Sequence, residues 1–403
     1  MTTSTVGGGG SLRVFREALA GYAFSIAGIV AGTIVAFRIE IFSIAPWSVA
    51  AYPAVLSARG IIGGLFSGRL STALHLGIVY PKVLGNTEAF RRLFGAVIAL
   101  TCGVSLMMSV ISAIVGVFVW GTTLVGFTSI LAVILATMTL GLLVALITVG
   151  VSFISFRHGL DPDVFLYPAV SAMSDIFITL SYISVLSLFF SGTLEGRLLV
   201  VSLSCVLPLL ALLSLARNIG EREYVRTVKE SMFTLLIVAA VVNVTGGVLN
   251  MISSTISGRN EIYIVFPALL ATMGNVGAVV GSTATTKLAV GLLDTSFSGM
   301  NNHLKEILSA WTASLVMFVC FSFLSLSVEG GLSPRSFLDL TFLLFTTNVI
   351  SALAIVLISY AIAVITFQKG LDPDNFVIPI ESALADSITA VALFVAMSLI
   401  IGI

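Results

Sequence analysis

The sequence contains one stretch twice, and this duplication constrains the fold more than any other feature. The first copy is GLDPDVFLYPAVSAMSDIFITL at residues 159–180, and the second is GLDPDNFVIPIESALADSITAV at residues 370–391. The aligned copies share a proline, a serine and a late aspartate: Pro168 with Pro379, Ser171 with Ser382, and Asp175 with Asp386. The chain is therefore predicted to be built from two copies of one unit.

Both copies lie within long apolar segments, and these indicate a membrane protein. Of the 403 residues, 58% are hydrophobic and 9% charged, with a mean hydropathy of +1.14; about a quarter of the residues of an ordinary soluble protein are charged. Helices are predicted at about 14–37, 50–79, 93–119, 123–156, 164–191, 198–216, 231–255, 263–293, 306–328, 337–367 and 375–402. The expected fold is an all-α polytopic membrane protein with about 11 transmembrane helices.

These segments divide into two five-helix repeats joined by a linker helix. The predicted modules are residues 13–192 and 231–403, with a linker helix and cytoplasmic loop at 193–230 and a disordered tail at 1–12. The extra crossing gives both repeats the same orientation in the membrane, so they are predicted to be parallel. A second duplication supports the repeat, since residues 52–77 align with residues 266–291, proline on proline and glycine on glycine.

The basic residues predict the orientation. Twelve lysines and arginines fall in segments on the N-terminal side of the membrane and four on the other side. Since cytoplasmic loops carry the excess of basic residues, the protein is expected in the cell membrane, multi-pass, with its N-terminus cytoplasmic and its C-terminus outside. The tail is too short for a cytoplasmic regulatory domain, and without a basic tract no nucleic-acid partner is expected. The three cysteines are too widely spaced for a disulfide framework or a thiolate metal site.

The late aspartates are the first candidates for a functional site. Counted along a helix from Asp163, Asp175 lies about 18 Å into the membrane, and Asp386 sits at the same depth. An ionisable side chain is expensive there, which favours an ion pathway, a proton relay or a catalytic acid. Ser171 and Ser382 share a helix face with these aspartates, although each hydroxyl could instead bond to its own helix.

Two further groups in the duplicated stretch have candidate roles. Pro168 and Pro379 each free a backbone carbonyl that could point into a pathway. The DPD triplets resemble helix starts, in which an aspartate caps the helix and proline takes the first turn. The capping residues are Asp161 and Asp372; Asp163 and Asp374 would attract cations at the inner mouth.

Three polar residues of the second repeat have no counterpart in the first. Asn275 lies among clustered glycines, and we expect it to hydrogen-bond either a neighbouring helix or a hydrated ion. Glu381 occupies the position of Val170 in the first repeat. It lies off the helix face that carries Ser382 and Asp386, or at the margin of that face. Lys287 is its predicted partner in a structural ion pair.

These motifs resemble the membrane module of the MgtE family, most closely the duplicated form found in solute carrier family 41. The similarity rests on GLDPDNFVIPIESALAD, its partner GLDPDVFLYPAVSAMSD, and the segments PALLATMGNVG and RLSTA. It implies a divalent-cation transporter, chiefly for magnesium, with the late aspartate of each fifth helix lining a pore where two modules meet. That role falls on Asp175 and Asp386. One chain would then suffice as a pseudo-two-fold transporter, with higher oligomers also compatible.

Three functions remain open on the residues alone. Magnesium prefers oxygen ligands and sheds water reluctantly, so two carboxylates beside a wet pathway would suit it as the transported ligand, with no cofactor. A proton- or sodium-coupled cation antiporter could use the same aspartates. An intramembrane aspartyl protease also pairs two aspartates, but the sequences AMSDI and ALADS lack a glycine-flanked catalytic motif. A transporter in the lipid bilayer, and not an enzyme, is the preferred prediction.

Overall fold

In the computed structural model the chain folds into helices. The structure describes residues 9–82, 85–120, 124–157, 162–255, 259–294, 296–369 and 373–402, and within them no β-strand occurs. The helices are α1 Gly9–Ala23, α2 Ile26–Phe37, α3 Ile39–Ser43, α4 Pro46–His75, α5 Glu88–Trp120, α6 Leu124–Arg157, α7 Pro162–Phe189, α8 Leu194–Asn218, α9 Arg222–Thr255, α10 Asn260–Ala289, α11 Leu304–Glu329, α12 Pro334–Lys369 and α13 Pro373–Ile401, with a 3-10 helix at Phe297–His303.

Most of these helices are long enough to cross a lipid bilayer. Within the described residues, 10 segments are long and apolar enough to cross a bilayer. Helix α4 also has the length, since its 30 residues extend about 45 Å at 1.5 Å per residue. The protein is an all-α polytopic membrane protein, as the sequence predicted.

Local sequence accounts for several helix ends. Helices α4, α7, α12 and α13 each begin at a proline, whose fixed φ suits the first turn and whose missing N–H costs nothing there. Thr193 caps α8, because its hydroxyl accepts a hydrogen bond from the Gly196 N–H at 3.2 Å. Gly330 ends α11 with φ 80°, a left-handed conformation that glycine adopts without strain.

Two helices differ from their predicted bounds, and α1 begins at Gly9, within the tail that was predicted to be disordered. The first predicted span is interrupted, with α1 ending at Ala23 and α2 beginning at Ile26. Phe24 and Ser25 donate instead to carbonyls three residues earlier, which tightens the turn. Helix α9 begins at Arg222 and not near residue 231. Its charged first turns form regular helix, and Arg226 and Glu230 pair there at spacing i, i+4.

The chain forms two compact units, and neither coincides with one sequence repeat. One unit comprises Met1–Thr33 and Ser257–Ile403, and the other comprises Ile34–Ile256. Helix α1 packs on α10 and α11 in the first of these units, whereas α9 packs on α4 and α5 in the second. The first helix of each repeat therefore belongs to the unit formed by the rest of the other repeat.

Each segment that joins the unit of the other repeat approaches its neighbouring helix closely at a glycine. A Cβ at Gly32 of α2 would lie 2.2 Å from the carbonyl oxygen of Ile264, and one at Gly246 of α9 would lie 1.8 Å from that of Ala50. Ile264 and Ala50 occupy equivalent positions, each three residues before the proline inside α10 or α4. Only glycine allows the backbones to approach this closely.

Buried amides add polar contacts within each unit. In the unit that contains α11 and α12, Asn348 accepts from the Trp311 indole N–H at 2.8 Å and donates to Ser314 Oγ at 2.9 Å. In the other unit, Ser112 of α5 donates to Asn243 Oδ1 of α9 at 2.7 Å. These bonds satisfy polar groups that the bilayer could not hydrate.

Candidate metal site

Asp386 lies in the middle of α13, where the side chain is 8% exposed. Helix α13 packs on α10 and α12 within its unit. Ser382, one turn earlier, is partly buried, and the Thr389 hydroxyl bonds to its own helix at the carbonyl of Ala385. The sequence therefore identified a carboxylate that is buried well inside a long apolar helix.

Asp175 lies on α7 in the other unit, and a hydroxyl chain positions its turn. Asp175 is partly buried, as is Ser171 one turn earlier. The Thr179 hydroxyl donates to the Asp175 carbonyl oxygen at 2.7 Å and lies 2.9 Å from the Tyr52 hydroxyl of α4. One turn further on, Tyr182 donates to the Ser48 carbonyl oxygen at 2.7 Å. These contacts fix the register of α7 against α4 beside the aspartate.

The two repeats differ at this hydroxyl chain. The positions equivalent to Tyr52 and Thr179 are Phe266 and Ala390, and both are buried. The second repeat thus lacks both members of the pair, so neither hydroxyl is buried there without the other. The surroundings of the two aspartates are accordingly unequal.

Glu381 has a partner that the sequence analysis missed. Its carboxylate, 5% exposed, accepts a short hydrogen bond from the Ser359 hydroxyl of α12. The same carboxylate lies against α10, because a Cβ at Gly277 or Gly281 would lie 2.6 Å or 3.2 Å from its oxygens. The glycines leave the space that the carboxylate fills, whereas the first repeat has Ser67 in place of Gly281 and Val170 in place of Glu381.

The predicted ion pair between Glu381 and Lys287 is wrong. Lys287 pairs instead with Glu306, with Nζ 2.8 Å from Oε1. Glu381 packs at Gly277 and Gly281, which precede Lys287 by two to three turns of α10, or about 9–15 Å. The sequence contains two unmatched charges in one repeat, but it does not show which faces of their helices meet.

Asn275 contacts a neighbouring helix, the first of the two partners predicted for it. Its amide Nδ2 lies 3.4 Å from Ser25 Oγ. Ser25 is the residue at the interruption between α1 and α2. Interrupted helices expose backbone polar groups within a membrane, so Asn275 supplies a polar side chain where the helix is broken.

Several predicted site residues fall outside what the structure describes. Asp161 and Asp372 lie outside the described residues. Only the backbone is described for four others, which lie in α7 and α13: Asp163, Pro168, Asp374 and Pro379. Helices α7 and α13 do begin at the proline of each DPD triplet, Pro162 and Pro373. The roles of these residues in capping, pore lining and cation attraction stay predictions.

The structure also brings together a group of acidic residues that was not predicted from the sequence. A cavity of about 500 Å³ is lined by Arg259, Glu261, Leu326, Glu329, Gly330, Gly331, Ser336 and Asp339. Arg259 and Glu261 form an ion pair at 2.7 Å. These residues come from the ends of three helices, and their separation in the chain hides their proximity. The charge pattern predicts that this end faces outward.

The described residues do not by themselves enclose a bare metal ion. Among them, no three histidine, cysteine or acidic side chains lie together as a metal-binding group. Cys102, Cys205 and Cys320 are free thiols. A cation held by a single carboxylate within a unit would have to keep most of its water.

Comparison with known families decides the identity. The profile of the MgtE family, described as a divalent cation transporter, matches residues 52–185 and 266–396, well over half of the chain.

The chain belongs to the MgtE family. Solute carrier family 41 member 3 from Mus musculus and from Rattus norvegicus is in each case 24% identical over 360 residues. The match covers 83% of this chain and 71% of the mouse or 75% of the rat protein. No solved structure matches the chain.

Membership in the MgtE family confirms three predictions: the family resemblance, the transport of divalent cations, and a transporter in place of an enzyme. The two matched segments begin at equivalent residues, Tyr52 and Phe266. Each covers the last four membrane helices of a repeat and leaves out the exchanged first helix.

Proposed function

We propose that the protein transports a divalent cation, magnesium in particular, along a path lined by Asp175 and Asp386. The main support is that the aligned repeats place one aspartate in each fifth helix, Asp386 buried and Asp175 partly buried, in a chain of the MgtE family. An ionisable side chain within a membrane helix is costly, and such residues commonly mark ion or proton pathways.

The ion is proposed to pass with most of its water. Magnesium dehydrates reluctantly and is commonly bound through one or two carboxylates with several waters retained. The described residues offer no cluster of ligands to replace those waters. Ser171 and Ser382, one turn from the aspartates, would contact the hydration shell. In this scheme the repeats are parallel and the DPD aspartates attract cations at the cytoplasmic mouth.

The direct test is magnesium flux into proteoliposomes. We expect Asp175→Asn and Asp386→Asn each to lower flux about tenfold or more, and the double variant to reach background, because asparagine keeps the shape but loses the charge that offsets a divalent ion. Glu195→Gln, which alters an exposed acid in the first turn of α8, should transport normally. Undiminished flux in a correctly folded double variant would refute the site.

Imposed gradients distinguish uncoupled transport from antiport. If the aspartates only line a path, magnesium flux should follow the magnesium gradient and the membrane potential. If they alternate between a proton or sodium ion and the cation, flux should rise when the opposing gradient is imposed. Competition by calcium or manganese in the same assay tests the preference for magnesium.

A further inference from the structure

His303 is buried where three elements of one unit meet, and the proposed cation path does not use it. It ends the 3-10 helix Phe297–His303, its side chain is 0% exposed, and it faces the last turns of α10 and the first turn of α11. Its hydrogen bonds show which ring nitrogen carries a proton.

The Nε2 nitrogen must be a donor. It lies 3.2 Å from Thr283 Oγ1 and 3.2 Å from the carbonyl oxygen of Val280. The Thr283 hydroxyl proton is already committed, because Oγ1 donates to the Val279 carbonyl oxygen at 2.5 Å. Both atoms near Nε2 can therefore only accept, so Nε2 carries a hydrogen. In the neutral ring Nδ1 is then an unprotonated acceptor.

Nδ1 faces a second acceptor. It lies 3.5 Å from Glu306 Oε2, and each of these two atoms is buried without a hydrogen-bond partner. Two lone pairs facing each other in a buried site are unfavourable. A proton on Nδ1 would convert this contact into a charge-assisted hydrogen bond.

The surrounding charges keep Glu306 in place and leave Nδ1 without another donor. From α10, Lys287 binds the other oxygen of Glu306 at 2.8 Å. From α12, the Tyr360 ring lies 6.1 Å from the imidazole, but its hydroxyl donates to the Ser296 carbonyl oxygen. Asp294 interacts electrostatically with Tyr360.

We propose that His303 Nδ1 and Glu306 Oε2 form a proton-binding site that latches the 3-10 helix and α11 to the end of α10. A proton from the water on that side, predicted to be the cytoplasm, binds Nδ1 and makes the ring an imidazolium ion held by the Glu306 carboxylate. Loss of the proton restores the two facing acceptors. Acidification therefore tightens the latch and alkalinity loosens it.

The latch acts on the helix that carries Asn275 and the two glycines against Glu381. A tighter hold on α10 slows any motion of that helix, so the protonated form transports more slowly. This consequence depends on the proposed transport function, whereas proton binding itself does not. The two are therefore tested separately.

Proton binding is tested by nitrogen-15 NMR of the full-length protein in lipid nanodiscs. The chain has three histidines, so labelled imidazole signals can be assigned with His303→Gln and His75→Gln. At about pH 8.5 we expect His303 to carry a hydrogen on Nε2 alone, and at about pH 5.5 on both nitrogens. In Glu306→Gln, the second hydrogen should not appear over this range, because the carboxylate that holds it is gone.

A His303 ring that stays neutral or stays doubly protonated throughout would overturn the proposal. So would a proton on Nδ1 at alkaline pH, or an unchanged titration in Glu306→Gln. The measurement on wild-type protein decides the matter even if a variant fails to fold, and it requires no transport.

The consequence for transport is tested by varying the pH on each side of proteoliposomes. Acidification on the side that holds His303 should slow magnesium flux about threefold or more, and His303→Gln should remove this response. The matched control is His75→Gln, since His75 at the end of α4 is exposed and bonds the Ser71 carbonyl oxygen at 2.9 Å; it should respond as wild type does. Flux that rises on acidification, or an intact response in His303→Gln, would refute the latch.

Discussion

At the scale of single residues, the hydroxyl pair beside Asp175 distinguishes the surroundings of Asp175 from those of Asp386. Tyr52 and Thr179 are bonded at 2.9 Å, and their counterparts Phe266 and Ala390 are both apolar. A hydrogen bond between membrane helices contributes about 0.6 kcal/mol on average and at most about 1.7 kcal/mol. The pair therefore adds modestly to stability and more to the register of α7.

A double-mutant cycle tests this bond. We expect Tyr52→Phe and Thr179→Ala each to lower the free energy of unfolding by about 0.5–1.5 kcal/mol, with a coupling of about 0.6 kcal/mol. Reversible unfolding in mixed micelles measures it. Phe266→Tyr is the matched control, because a hydroxyl placed opposite Ala390 has no counterpart of Thr179. Purely additive effects at Tyr52 and Thr179 would show that the bond contributes nothing.

Features that depend on position along one helix could be predicted from the sequence. Asp175 and Asp386 lie well inside long helices, as counting residues along the chain predicted, and Pro162 and Pro373 begin helices, as the DPD triplets predicted. Prediction failed for Glu381 and Lys287, since a partner on another helix depends on which faces meet. The Ser359 hydroxyl that binds Glu381 is 22 residues away and is one of many serines in apolar segments.

At the scale of helices, the crossing of α9 with α4 depends on one glycine and not on its neighbour. A Cβ at Gly246 would lie 1.8 Å from the Ala50 carbonyl oxygen, whereas one at Gly247 would meet nothing within 4 Å. Substitutions at these two adjacent positions can thus distinguish the effect of close packing from the effect of helix propensity.

Gly246→Ala should destabilise the protein by about 3 kcal/mol or more, because the two backbones must separate. Gly247→Ala should be neutral or stabilise by up to about 1 kcal/mol, since alanine favours helix over glycine. Thermal stability in detergent and the yield of monodisperse protein report both effects. Equal outcomes for the two variants would contradict the close contact.

The sequence predicted these helices well and their interruptions poorly. Apolar length and helix-starting prolines located α4 to α8 and α10 to α13 to within a few residues. The charged start of α9 appeared to be a loop because its residues are polar, yet their i, i+4 pairing supports helix. The break at Ser25 had no proline to mark it, and the polar contact from Asn275 comes from a distant part of the chain.

At the scale of the whole molecule, the two repeats exchange their first helices, so neither repeat by itself contains all the helices of one compact unit. Each compact unit takes its first helix from the other repeat. Internal duplication predicted two modules, and the family match also marks two segments. The exchange could not be predicted, because the sequence of a repeat looks the same whether its first helix packs on its own repeat or on the other one.

Division of the chain between α8 and α9 tests the exchange. Fragments 1–220 and 221–403, produced together, should co-purify through a tag on either one and retain magnesium flux, because each supplies a helix that the other needs. Each fragment produced alone should aggregate or be degraded. Two fragments that are separately monodisperse and do not associate would contradict the exchange. A chain divided instead within residues 1–8, before α1, serves as the control.

The contact between α1 and α11 can form only late in the synthesis of the chain. Ala23 ends α1, and Glu329 ends α11, so about 300 residues must be added between them. At 5–20 residues per second this takes about 15–60 s. During that interval the earliest helix to enter the bilayer has no permanent neighbour, and its glycine-rich continuation in α2 is open to lipid or to the insertion machinery. The first helix therefore reaches its final packing only after α10 and α11 have been made.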